Sequence, residues 1–255
     1  MFRLTREVRL AVPPAASTPP LAPVRNGYGG FPPLEGFERF VVVQVTLAGE
    51  PDAQSGYLVN IKQIDEVVRR DGLPLLQECA LRQPGSVADL TRGVFERFRH
   101  RWPQLEETRI HLSPFTGFSV QAKEFPMVRF SQKFEFSAAH RLHNPELSAE
   151  ANAALFGKCN NPNGHGHNYE LQVTLRGEMI PIQSLEEIVS TSVLQRFDHK
   201  FLNKDTSEFR DLNPTVENIA RTIYLLLRPP LTQAGTELAA VTVWETAKTW
   251  CEYWE

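Results

Sequence analysis

Two histidines separated by a single residue, His165 and His167, begin the run His-Gly-His-Asn-Tyr. In an extended strand the side chains at i and i+2 share a face, so both imidazoles can meet one cation. His140 closes the alternating segment Phe134-Glu135-Phe136-Ser137-Ala138 and is a candidate third ligand from a neighbouring strand. Three neutral nitrogens with a fourth position open form the arrangement of a catalytic zinc site. Cys159 leaves a second ligand set open, because three histidines and a thiolate would close a structural site instead. His143 competes as third ligand, but its i+3 spacing from His140 suits a helix better than a strand. Asp198-His199 sets a carboxylate beside an imidazole, a pairing that can fix a tautomer for proton transfer. Adjacent residues of a helix or strand point apart, so this contact needs a local irregularity; a solvated helix end is the plainer account of the pair.

These residues all lie in the second half of the chain, and the elements that must carry them recur in the first. Residues 44–50 read Gln-Val-Thr-Leu-Ala-Gly-Glu and residues 172–178 read Gln-Val-Thr-Leu-Arg-Gly-Glu, six of seven identical at an offset of 128. Residues 61–70 and 182–191 both space apolar residues as a helix does. Residues 86–98 and 214–226 correspond without a gap and predict capped amphipathic helices, the second with Asn213 as N-cap and Pro214 at N1. Residues 108–121 and 240–254 alternate as strands or hairpins. Each half therefore predicts strand, strand, helix, helix, strand, strand, with the boundary near Phe125-Pro126. Seven prolines fall within the first 33 residues, which predicts an irregular loop over 11–35 following an edge strand over 3–11.

Composition excludes several classes. The chain has 255 residues, 42% hydrophobic and 22% charged, with 27 basic and 30 acidic residues for a net charge of -3. That argues against nucleic-acid binding by bulk charge. An odd count of three cysteines argues against a disulfide framework and for reduced thiols in a cytoplasmic protein. No run approaches the roughly 20 apolar residues of a membrane span. Arg3, Arg6 and Arg9 break every apolar run at the start, so a signal peptide is not expected.

Five separated motifs carry a family resemblance: Phe136-Ser137-Ala138-Ala139-His140, the block Leu-Phe-Gly-Lys-Cys-Asn-Asn-Pro-Asn-Gly-His-Gly-His-Asn-Tyr over residues 155–169, Asp198-His199-Lys200, Pro214-Thr215-Val216-Glu217-Asn218, and Trp244-Glu245-Thr246. Together, over about residues 127–255, they resemble 6-pyruvoyl-tetrahydropterin synthase and its relative 6-carboxytetrahydropterin synthase. The resemblance implies an α+β fold, the T-fold or tunnelling fold, in which an antiparallel four-stranded sheet carries two helices on one face and units join into barrels through their sheet edges. It implies zinc on His140, His165 and His167, Cys159 as general base, and Asp198 with His199 as the second proton shuttle. Glu245 fits the pterin anchor, since a carboxylate can accept two hydrogen bonds from an aminopyrimidine edge. Thr215 and Glu217 are implied pterin contacts, although capping and the helix dipole account for them as well. Lys158 and Arg141 are candidates for the triphosphate path by proximity.

The implied reaction converts 7,8-dihydroneopterin triphosphate to 6-pyruvoyl-tetrahydropterin, eliminating triphosphate and redistributing hydrogen internally. Cys159 stands six residues before His165, a spacing that resembles the pyruvoyl-type enzymes; the carboxy-type of the queuosine pathway has a shorter gap. Carboxy-type activity and a non-catalytic zinc- or pterin-binding scaffold are the alternatives. None of the site residues recurs at the 128-residue offset. Val12 and Pro13 stand near the His140 equivalent, Phe37 and Arg39 replace His165 and His167, and Arg70-Asp71 replace Asp198-His199. Residues 1–126 are accordingly expected to be a degenerate T-fold unit without a metal site, and residues 127–255 the catalytic unit. The first unit is expected to fill a barrel position, three chains of a homo-oligomer supplying six units; a separate pocket for a purine-like ring is the competing idea.

Overall fold

Alternation of apolar residues sets the strands, and the computed structural model describes residues 1–12, 32, 34, 38–81 and 86–255. Most of the proline-rich segment predicted as a loop, and Phe37, lie outside the described residues. The chain divides into two compact units, Met1–Phe130 and Ser131–Glu255.

In the first unit, β1 (Phe2–Val12), β2 (Arg39–Gly49), β3 (Leu105–His111) and β4 (Thr116–Gln121) pair antiparallel in that order. Between β2 and β3 run α1 (Ile61–Val67), a π-helical turn (Val68–Gly72), α2 (Leu73–Leu81) and α3 (Val87–Arg99). Asn60 and Ser86 cap α1 and α3 by accepting from Lys62 and Asp89 backbone N–H groups. Ala88, Thr91, Val94, Phe95 and Phe98 form the buried stripe of α3, at the three- and four-residue steps of an amphipathic helix.

The second unit has β5 (Arg129–His140), α4 (Ala149–Phe156), β6 (His165–Arg176), α5 (Ile182–Val189), a second π-helical turn (Ser190–Leu194), α6 (Gln195–Phe197), β7 (Lys200–Phe201), α7 (Leu202–Asp205), α8 (Val216–Gln233), β8 (Glu237–Thr246) and β9 (Thr249–Tyr253). Its sheet order is β5-β6-β8-β9, with the short β7 parallel to β5. Helix α8 packs on β8 and β9 through Ile219, Ala220, Ile223, Leu227 and Leu231, giving the expected α+β architecture of an antiparallel sheet with helices against it. No helix among the described residues is long and apolar enough to cross a membrane.

Several local features recur at the 128-residue offset. Val41, Val43, Val45 and Leu47 are the buried apolar positions of β2, and Tyr169, Leu171, Val173 and Leu175 are those of β6. The register slips between Thr46 and Leu47 against β3, and between Thr174 and Leu175 against β8. The Thr46 hydroxyl meets that of Thr5 at 2.9 Å, and the Thr174 hydroxyl meets that of Ser131 at 3.1 Å.

One helix start differs from expectation. Thr215, not Asn213, is the N-cap of α8, its hydroxyl accepting from Asn218 N–H at 3.3 Å. Asn213 is drawn elsewhere, its side-chain oxygen accepting from His143 N–H at 2.9 Å. Local capping preference yields here to the chain that leads out of β5.

Candidate metal centre

The last residue of β5 and the first of β6 meet because a glycine lets them. Gly164 has φ +73°, and a Cβ there would lie 2.9 Å from the His140 carbonyl and 2.9 Å from the Phe201 ring. Only glycine takes this left-handed conformation without cost, and only glycine fits the gap. His140 is 1% exposed, and a buried imidazole needs partners. Its Nδ1 lies 2.7 Å from the Pro214 carbonyl. A carbonyl only accepts, so Nδ1 carries the hydrogen and Nε2 presents its lone pair. That Nε2 lies 3.0 Å from Nε2 of His165.

The ligand atoms of His140, His165 and His167 all lie within 4.8 Å of one another. Tetrahedral zinc bonds of about 2.0–2.1 Å place ligand nitrogens about 3.3 Å apart, a separation inside the observed range. His167 Nε2 and His165 Nδ1 are buried and have no hydrogen-bond partner among the described residues. Burial, the largest influence, pushes both His140 and His167 below the ordinary imidazole range, outweighing the opposing pull of Glu245. Imidazole nitrogens that converge, one of them unpaired among the described residues, fit a divalent metal.

Glu245 joins this cluster: its Oε1 lies 3.5 Å from His140 Nε2 and 3.7 Å from His167 Nε2. Cys159 is half-buried in the 3-10 turn Gly157–Asn160 and does not belong to the group of converging ligand atoms. Its carbonyl accepts from Leu142 N–H at 2.8 Å, tying the turn to the chain just beyond His140. His143 is engaged apart from the cluster, 3.3 Å from Arg141 Nη2 and 3.1 Å from Asn160 Nδ2. Thr215 adjoins the carbonyl that holds His140, and Glu217 is exposed in the first turn of α8. Arg141 lines a cavity of about 610 Å³ together with Asn203, Lys204 and Arg210, whereas Lys158 is not among its lining residues.

Asp198 and His199 touch each other and do not belong to the group of converging ligand atoms. His199 takes a positive φ of 56°, the irregularity that adjacent residues need, and its Nδ1 lies 2.9 Å from Asp198 Oδ2. The pair is docked on β5: Asp198 Oδ1 accepts from Ser137 N–H at 2.8 Å, and His199 N–H donates to the Ser137 carbonyl at 2.6 Å. The Ser137 N–H is the main reason that the Asp198 carboxyl sits below the usual carboxylate range. The imidazole of His199 is 82% exposed.

Sequence reasoning missed Tyr169. It lies two residues beyond His167 on the same strand face, and alternation alone marks such a residue as core. The side chain is fully buried, stacked on Phe136 at 5.0 Å and edge-on to His167 at 5.6 Å. Its hydroxyl has no hydrogen-bond partner among the described residues. Burial, then the Glu245 and Cys159 charges, drives its pKa far above the ordinary phenol range, so it stays protonated.

Residues 129–255 match the profile of a family described as 6-pyruvoyl tetrahydropterin synthase. The 6-pyruvoyl tetrahydrobiopterin synthase of Drosophila melanogaster is 38% identical over 135 residues, 50% of this chain and 80% of that protein. The protein of the same name from Homo sapiens is 45% identical over 97 residues, 35% of this chain and 67% of that one. The structure of Caenorhabditis elegans 6-pyruvoyl tetrahydropterin synthase covers 51% of this chain and 96% of its own, at 39% identity and a TM-score of 0.48.

Proposed function

The chain belongs to the 6-pyruvoyl tetrahydropterin synthase family, and we propose that its second unit is a zinc-dependent lyase that releases triphosphate from 7,8-dihydroneopterin triphosphate with internal hydrogen redistribution. The observation that carries this reading is the convergence of His140, His165 and His167 beside Glu245. Zinc held by the three imidazoles supplies Lewis acidity toward the hydroxyl and carbonyl oxygens of the substrate side chain. Cys159 removes a proton from the adjacent carbon, and its place outside the ligand group leaves the thiol free for that work. Asp198 holds the Nδ1 hydrogen of His199, so that Nε2 is the nitrogen available to pass a proton. Glu245 accepts from the aminopyrimidine edge of the pterin, with Thr215 and Glu217 completing its contacts at the start of α8.

The exposure of His199 favours a site completed between subunits of a homo-oligomer, where Asp198 and His199 would serve a neighbouring centre. The first unit would then occupy a barrel position without chemistry, three two-unit chains supplying six units in the cytoplasm. Its shared burial pattern, register slips and hydroxyl pairs support descent from the same unit. Arg39 stands at the position corresponding to His167.

The test is to incubate zinc-loaded protein with dihydroneopterin triphosphate and identify the products by mass spectrometry. Triphosphate with 6-pyruvoyl-tetrahydropterin is the expected result. Acetaldehyde with a 6-carboxypterin would assign the carboxy-type reaction, and no triphosphate release would sink both. Light scattering that shows a monomer would overturn the shared-site arrangement.

A further inference from the structure

We infer that Asn160 is a positioning residue for the reaction, a side-chain clamp that fixes the turn carrying Cys159 to the chain just beyond His140. The inference rests on the reading of Cys159 as base. A proton acceptor must lie within hydrogen-bond reach of the proton it removes, and a displacement of about 1 Å can cost about 100-fold in rate. The turn that carries Cys159 has little of its own to hold it. It is a single 3-10 turn, Gly157–Asn160, entered through Gly157 at φ +52°, and Asn161 N–H closes it on the Lys158 carbonyl at 3.3 Å. Gly157 and Lys158 are exposed. One such turn is a weak element.

The restraint comes from the residues that follow β5. Asn160 Nδ2 donates to the Leu142 carbonyl at 2.7 Å and lies 3.1 Å from His143 Nδ1. The Arg141 guanidinium can only donate and stands 3.3 Å from the same Nδ1, so that nitrogen accepts and the amide presents an N–H to it. The Asn160 carbonyl accepts from Arg141 Nε at 3.1 Å. The side chain of Asn160 and its backbone thus engage three consecutive residues, Arg141, Leu142 and His143. Leu142 N–H in turn donates to the Cys159 carbonyl at 2.8 Å. Both backbone polar groups of Leu142 are therefore held by consecutive residues of the cysteine turn, two residues along the chain from His140. The backbone bond alone would act as a pivot. The amide supplies a second point of attachment, and two points fix an orientation that one cannot. Asn160 and Leu142 are half-buried, so water can reach the carbonyl that loses its donor, and the fold should survive the loss.

The experiment compares the full chain with its Asn160→Ala and Asn160→Leu variants, the second keeping the branched shape without the polar atoms. The zinc-loaded proteins are assayed for kcat and KM with 7,8-dihydroneopterin triphosphate, and for zinc affinity by chelator competition. The metal-free proteins are alkylated with iodoacetamide, and the modified cysteines are mapped by mass spectrometry with Cys79 and Cys251 as internal references. In both variants kcat is expected to fall about 10- to 100-fold while KM and zinc affinity stay within about twofold. Alkylation of Cys159 should quicken several-fold, and that of Cys79 and Cys251 should not. Parental kcat in either folded variant would overturn the inference, as would alkylation of Cys159 at the parental rate. So would a rise in KM or a loss of zinc affinity that matches the loss of kcat, which would make Asn160 a substrate or metal contact. Failure of both variants to fold would assign the amide a structural bond instead. If the parent turns over the triphosphate and the variants match it, only the Asn160 role fails. If the parent releases no triphosphate, the reading of Cys159 as base fails and carries the Asn160 role with it.

Discussion

Nδ1 of His140 donates to the carbonyl of Pro214 across 2.7 Å, joining the end of β5 to the residue before the α8 cap and leaving the Nε2 lone pair turned toward His165. A backbone acceptor cannot be lost by side-chain motion, so the imidazole is oriented before a metal arrives. One zinc per chain is expected by elemental analysis. His140→Ala and His167→Ala should each lower zinc affinity by at least about 100-fold. Zinc at 100 times its Kd should stabilise the protein by about 2.7 kcal/mol, visible as a melting shift reversed by chelator. Two zinc ions per chain would contradict a metal-free first unit.

Gly164 should tolerate no side chain. Alanine there combines a positive φ with a contact of 2.9 Å to the His140 carbonyl, backbone that cannot step aside. A cost of about 1–3 kcal/mol is expected from conformation alone, with more from the clash. Because the clash falls between His140 and His165, zinc affinity should drop as well. Gly177→Ala is the control: φ is +89° but nothing lies within 4 Å of the added Cβ. It should lower the urea midpoint modestly and leave zinc binding alone. Equal effects of the two variants on zinc would show that the approach of the two strands is not what Gly164 protects.

Cys159→Ser separates base from ligand. The thiol lies outside the converging nitrogens, so zinc content should be retained while turnover falls by about 100-fold or more, the usual contribution of a positioned proton acceptor. Loss of zinc from this variant would restore the closed site of three histidines and a thiolate.

How far these relationships were legible depends on the period each one obeys. His165 and His167 follow the two-residue period of a strand, so their placement on one face could be read from spacing. His140 was legible as the last residue of an alternating run. The hydrogen bond to Pro214 was not, since it joins residues 74 apart through a carbonyl that has no sequence signature. Asn213 has the right chemistry for a cap, but the His143 N–H claims its oxygen first. The contact of Asp198 with His199 needed a left-handed histidine, which no pattern of residue types announces. Tyr169 was hidden by its own regularity: alternation assigns a buried tyrosine to the core, and only the unpaired hydroxyl distinguishes it.

Asp198→Asn should leave the fold in place and impair proton transfer. The amide oxygen can still accept from Ser137 N–H, but an amide nitrogen facing His199 Nδ1 favours the wrong tautomer. A turnover loss on the order of 100- to 10,000-fold is expected, by analogy with other carboxylate–imidazole pairs. Stability carries an independent signature. The carboxyl is depressed in the folded protein, chiefly by Ser137 N–H, so the stability it adds is present above its unfolded value of about 3.9 and disappears as pH falls through the lower folded value. The stability gap between parent and variant, followed by denaturant titration, should therefore close below about pH 4. A gap that persists at lower pH would mean that the charge is not what Ser137 recognises.

Glu245→Gln decides between two roles that geometry places side by side. Its Oε1 lies 3.5 Å from His140 Nε2 and 3.7 Å from His167 Nε2, close enough for the carboxylate to assist the metal as well as the substrate. If Glu245 anchors the pterin, the amide loses one of two acceptors and gains a donor that opposes the aminopyrimidine N–H groups. KM for the triphosphate and Kd for dihydroneopterin should then rise by about ten- to 100-fold while zinc affinity holds within about twofold, since a paired hydrogen bond to a charged group contributes about 1.5–3 kcal/mol. If Glu245 instead supports the metal, chelator competition will show weaker zinc with pterin binding lost only in proportion. The absence of any effect on pterin binding in fully zinc-loaded variant protein would remove Glu245 from the substrate site.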